Sequence, residues 1–89
     1  MHVDFFLGET RHVRIRIYSC HDDPFKIASA KYSLCIKGSA EEEDGGASVI
    51  QEHVIDQVIT PKRRGTYSLQ ITYRIADETL IEDVEVRVY

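Results

Sequence analysis

The chain has 89 residues, enough for one domain and too few for a core plus a deep substrate cleft. Fifteen acidic residues against eleven basic ones leave a formal charge of −4, which argues against a nucleic-acid partner bound through its phosphates. No apolar run reaches the ~18 residues of a membrane-spanning helix, and the opening MHVDFFLGET lacks the basic start and apolar stretch of a secretory leader. A cytoplasmic site of synthesis with no membrane partner is the expectation.

In chain order, the short run VDFF predicts an edge strand before Gly8. Residues 10–18, TRHVRIRIY, alternate cleanly. Val13, Ile15 and Ile17 fall on one face; His12, Arg14, Arg16 and Tyr18 fall on the other. The cluster SCHDDP turns the chain. Residues 28–37 alternate again, with Ala30, Tyr32, Leu34 and Ile36 inward and Lys31, Ser33 and Cys35 outward. The acidic, glycine-rich stretch after Gly38 predicts a mobile surface loop. Residues 47–59 are ambiguous. Their β-branched content favours one or two short strands, yet Ile50, Val54 and Val58 recur at helical spacing, and Ser48 with Gln51 fits a capping box. TPKRRG predicts a single helical turn, with Thr60 as cap, Pro61 in the first position and Gly65 as stop. Residues 66–74 point Tyr67, Leu69, Ile71 and Tyr73 inward, ADET turns the chain, and residues 80–89 point Val84, Val86 and Val88 inward. Cys20 and Cys35 fall near opposite ends of a strand and predict free thiols.

About six or seven strands with a turn signal every ~8–12 residues predict an all-β antiparallel sandwich, one domain over 1–89. The alternative is an α+β sandwich with one short helix near 49–58. A tyrosine just after a glycine bend at the start of the penultimate strand, here Gly65-Thr66-Tyr67, marks the immunoglobulin-like version of that fold. Leu69 stands where antibody domains carry a cysteine, and there is no tryptophan, so an antibody-type domain is not expected. The predicted core is Val13, Ile15, Ile17, Tyr32, Leu34, Ile36, Leu69, Ile71, Val84, Val86 and Val88.

Gly8-Glu9-Thr10 before the first long strand, the alternating Val and Ile that follow, and Gly65-Thr66-Tyr67 before the penultimate strand resemble the immunoglobulin-like modules of bacteriophage tail and baseplate proteins. The likeness is to the amino-terminal domain of the upper baseplate protein family and covers roughly residues 7–89. The entry to the second long strand, Phe25 to Ala30, echoes that family only loosely. The resemblance implies a structural module of a phage or prophage tail, associated with the virion once assembled.

No constellation of residues points to chemistry. His2, His12, His21 and His53 share no ligand spacing, and the acid runs at 21–23 and 41–44 lack the alternate spacing of a calcium loop. No cofactor, no metal and no enzymatic activity are expected. Cys35 has Lys37 as a same-face neighbour but no stronger sign of a reactive thiol. The expected role is a structural or interaction module that meets protein partners, or itself, through sheet edges. The alternatives are an adhesion or carbohydrate-binding domain, and an accessory domain acting on a partner enzyme. The candidate interaction residues are Arg14, Arg16, Tyr18, Asp83, Glu85, Arg87 and Tyr89, the last four on the expectation that the final strand lies at an open edge.

Overall fold

The computed structural model describes residues 1–18 and 24–89. Eight strands run in order: β1 (His2–Phe5), β2 (Arg11–Arg16), β3 (Ile27–Ile36), β4 (Glu42–Ala47), β5 (Val49–Gln51), β6 (Val54–Ile59), β7 (Gly65–Ile75) and β8 (Glu78–Val88). No helix occurs among the described residues, so none there is long and apolar enough to cross a membrane. The helical alternative for 49–58 therefore fails. Its β-branched residues instead build a hairpin of β5 and β6, turned at Glu52 and His53 with Glu52 at φ 55°.

The strands form two sheets, β1-β8-β7-β3-β4 and β2-β6-β5. This is an immunoglobulin-like β-sandwich. In the usual lettering, β2-β6-β5 stands for B-E-D, β8-β7-β3 for G-F-C, and β4 extends the second sheet as C′ does in variable-type domains. Two expectations need correcting. There are eight strands rather than six or seven, and they are not all antiparallel, because β1 runs parallel to β8 from His2↔Glu85 to Phe5↔Val88. Alternation fixes which face a side chain takes but carries nothing about strand direction. After β1 the chain turns at Gly8, where φ is +94°, and crosses from one sheet to the other.

Phe5, Val13, Ile15, Ile17, Leu34, Ile55, Ile59, Tyr67, Leu69, Ile71, Val84, Val86 and Val88 are among the residues that close the core between the sheets. Tyr32 and Ile36 are only partly buried against it. They lie on β3, next to β4, at the side where the smaller sheet ends.

The acidic stretch is also corrected. Part of it is the edge strand β4, paired with β3 through a bulge at Leu34/Cys35. At Ser48 the chain leaves the larger sheet for the smaller one. The Ser48 amide bonds Ala30 O at 3.0 Å, and its hydroxyl donates to Gln57 Oε1 at 2.8 Å. Gln57 is buried, so this partner spares its amide oxygen an unmet desolvation cost. TPKRRG forms no helical turn; residues 60–64 cross between the sheets as an irregular segment.

Candidate interaction surfaces

The bend before β7 shows why Gly65 and Tyr67 stand where they do. Gly65 takes φ +131°, a conformation that suits glycine. Tyr67, 1% exposed, points inward, and its hydroxyl accepts from the Arg63 amide at 3.1 Å. This is the tyrosine corner of immunoglobulin-like domains: a phenol tying the start of the strand to the backbone upstream. The same hydroxyl donates to Glu43 Oε1 at 2.7 Å, and Glu43 Oε2 accepts from the Lys62 amide at 3.3 Å. Burial, then the hydrogen bond to Glu43, pushes the Tyr67 phenol above its ordinary value. Glu43 was read from the sequence as part of a solvated acid run; it is a strut between β4 and the corner.

Arg14 and Arg16 lie on the outer face of the smaller sheet, and Tyr18 follows them with 77% exposure. Arg14 Nε is 3.4 Å from Asp56 Oδ2, and His12 Nδ1 is 2.9 Å from Asp56 Oδ1. Asp56 sits on β6 opposite Arg14 and is only 8% exposed, covered by the side chains it binds. Nothing local in the chain points to it, because the strand it pairs with lies more than forty residues away. The Arg16 guanidinium stands 5.9 Å from the Tyr18 ring centroid, a cation–π distance. No carboxylate pairs with Arg16 among the described residues.

Asp83, Glu85 and Arg87 face outward from the larger sheet, on the opposite side of the sandwich from Arg14 and Arg16. The two groups are not brought together. The expectation of an open final edge is overturned: β8 is an interior strand, with β7 on one side and β1 on part of the other. Tyr89 extends that cover, since its amide bonds Phe5 O and its carbonyl accepts from the Leu7 amide, each at 2.9 Å. The charged row is locked within its own face. Glu85 bonds Lys37 Nζ at 3.0 Å and Arg87 Nη2 at 3.0 Å, while Ser68 donates to Asp83 at 2.7 Å. The hydrogen bond from Lys37, then the nearby charges, holds the Glu85 carboxyl below its ordinary range.

Beside this row lies a shallow depression of about 660 Å³. Ser33, Cys35, Ser68, Gln70, Asp83 and Glu85 contribute to its lining, and Tyr67, its one aromatic, is buried. Such a surface offers hydrogen bonds but no ring on which a sugar would stack. Cys35 is free and half-buried, with Ser33 Oγ at 3.4 Å from its sulfur. Cys20 and the acid run at 21–23 lie outside the described residues. Among the described residues no three metal-ligating side chains gather. His53 is engaged in packing, stacked on Phe25 at 4.1 Å between ring centroids.

The true open edges are β1 and β4 in the larger sheet and β2 and β5 in the smaller. No family model matches the chain, and no curated protein matches it. The fold is similar to that in the crystal structure of an engineered protein from the Northeast Structural Genomics Consortium, with a TM-score of 0.72 and 18% identity. The alignment covers 99% of this chain and 17% of that one. At that identity the likeness shows the fold and nothing narrower.

Proposed function

We propose that this domain is a non-catalytic structural module that assembles with other protein chains through its sheet edges, as a component of a phage or prophage tail or baseplate. The observation that carries the edge reading is the topology. Each small sheet ends in strands with unpaired backbone groups, and only β4 among them is blunted by a run of acids and glycines. Open edges on a stiff sandwich are a means of joining subunits in register. The tail assignment rests on the sequence resemblance. The residues that carry it also have work at the two bends: Glu9 bonds the Phe6 amide, Thr10 and Thr60 share a hydroxyl hydrogen bond at 2.8 Å, and Tyr67 forms the corner.

Two experiments test the two parts separately. Genes for tail, portal or lysis proteins beside the coding gene, and the chain itself in purified particles by mass spectrometry, are the expected results for the tail assignment. A neighbourhood of metabolic genes removes its support. For edge assembly, sedimentation across a range of protein and salt concentrations, with and without the neighbouring gene products, should show a complex. A strict monomer in every mixture counts against it.

A further inference from the structure

The side of the sandwich that carries β1 and β2 is only half closed. β1 covers β8 from Glu85 to Val88, so the β8 stretch before Glu85 has no partner on that side among the described residues. Directly across, β2 is an edge strand. The Ile17 amide bonds His53 O at 2.8 Å toward β6. Backbone groups alternate in direction along a strand, so Arg14 and Arg16 turn their amide and carbonyl groups the other way, outward. A groove of about 500 Å³ runs along this stretch, lined by the segment Arg14–Tyr18 with Met1, Tyr73 and Glu82. Two free strand edges thus face each other across an open slot.

We propose that this slot is a strand acceptor, and that its occupant is an extended segment of another protein chain that alternates acidic and aliphatic residues. The proposal rests on the edge-assembly reading above and names the edge and the partner's chemistry. An extended segment beside β2 would bond the outward groups of Arg14 and Arg16 and continue the smaller sheet. Its alternate side chains would take opposite faces. Those pointing in meet Ile15, Ile17 and the Tyr73 ring, which suits aliphatic groups, and the Glu82 carboxylate, which disfavours a second acid on that side. Those pointing out lie beside Arg14 and Arg16. Arg16 has no acid partner among the described residues, and Arg14 shares Asp56 with His12, so carboxylates belong there. A second copy pairing through its own β2 would set arginines against arginines, which is destabilising. Neither a proline nor a bulge interrupts the edge from Arg11 to Arg16.

The test uses the intact chain and two labelled seven-residue peptides, one alternating glutamate with valine and one alternating lysine with valine. Binding is read by fluorescence anisotropy and by amide hydrogen exchange. The acidic peptide is expected to slow exchange at the Arg14 and Arg16 amides by about tenfold or more at saturation. It should bind about tenfold or more tightly than the lysine peptide, and R16Q should weaken it while leaving the lysine peptide no worse. Arg16→Pro should abolish capture without unfolding the domain, because the lost amide bonds nothing in the native ladder. Equal binding of both peptides overturns the proposal, as does unchanged exchange at Arg14 and Arg16 with peptide at about 1 mM. Protection that appears at β4 or β5 instead overturns this acceptor while leaving edge assembly standing.

Discussion

At the scale of single residues, the Tyr67 hydroxyl is the most consequential polar group in the fold. It joins three pieces of chain, accepting from the Arg63 amide and donating to Glu43 of β4. Tyr67→Phe leaves an amide and a carboxylate without their partner in a part-buried place. The expected loss is about 1–3 kcal/mol, read from urea unfolding. Glu43→Gln keeps an acceptor for the phenol and should cost less than Tyr67→Phe; an equal or larger cost would mean that charge, not the bond, matters. The phenols also give a sign for alkaline stability. Tyr32, Tyr67 and Tyr73 are all raised from the ordinary 10.0, each first by burial, then by Asp44, Glu43 and Glu82 respectively. A raised folded value favours the folded state fully below the unfolded value and is lost as pH climbs through the raised one. Unfolding followed against pH should therefore show stability held to about 10 and falling above it, together with late phenol ionisation in the ultraviolet. Loss of stability between neutral pH and 9 would contradict this.

At the scale of elements, the two hairpin turns show how strand pairing can override residue preference. The β7–β8 turn consists of Ala76 and Asp77, flanked by the pair Ile75↔Glu78, and Ala76 sits at φ 54°. Two-residue turns need positive φ to match the twist of the strands, and glycine adopts it without the clash that Cβ brings. The long pairing of β7 and β8 holds alanine there regardless. Ala76→Gly should raise stability by about 0.5–1 kcal/mol, the relieved strain being partly offset by the entropy glycine adds to the unfolded chain. Thermal melts of the two proteins decide it; an unchanged or lower Tm would show that the turn is relaxed as it stands. The strand β6 offers a second test. Asp56 is buried by His12 and Arg14, but both partners stay half-exposed and can return to water. Asp56→Ala should therefore cost only about 1 kcal/mol or less, well short of a buried ion pair broken in a dry core.

At the scale of the whole molecule, the pairings that hold the sandwich join distant parts of the chain: β1 with β8, β2 with β6, β3 with β7. Such non-local topology is slow to form, so stopped-flow refolding should fall in the range of about milliseconds to seconds. Relaxation in microseconds would show that a local nucleus dominates. The same topology separates the candidate charges onto two outer faces. Reversing Arg16 to Glu should leave stability nearly unchanged, since it is exposed and pairs with no carboxylate among the described residues, while altering association with an acidic partner. Reversing Arg14 as well would set a carboxylate opposite the buried Asp56 and cost stability. Reversing Arg87 should instead disturb only the contacts it makes within its own face, with Glu85.

The sequence by itself determined which residues face the core on β2, β3, β7 and β8, because a period of two needs only the strand and one apolar environment. Val13, Ile15, Leu34, Leu69, Ile71, Val84 and Val86 were legible in that way and are buried. The bend at Gly65 and the tyrosine two residues on were legible too, since φ at the bend and the reach of the phenol are local. What the tertiary structure alone decided was adjacency. That β1 runs parallel to β8, that Glu43 meets Tyr67, that Asp56 lies under His12 and Arg14, and that β2 rather than β8 is an open edge all depend on residues far apart in the chain. Alternation carries no information about which strand lies next, and a run such as EEED reads as solvated until the strand it pairs with is known. The ambiguity at 47–59 had the same origin: its apolar residues fit both periods, and only the pairing of β6 with β2 and β5 chose between them.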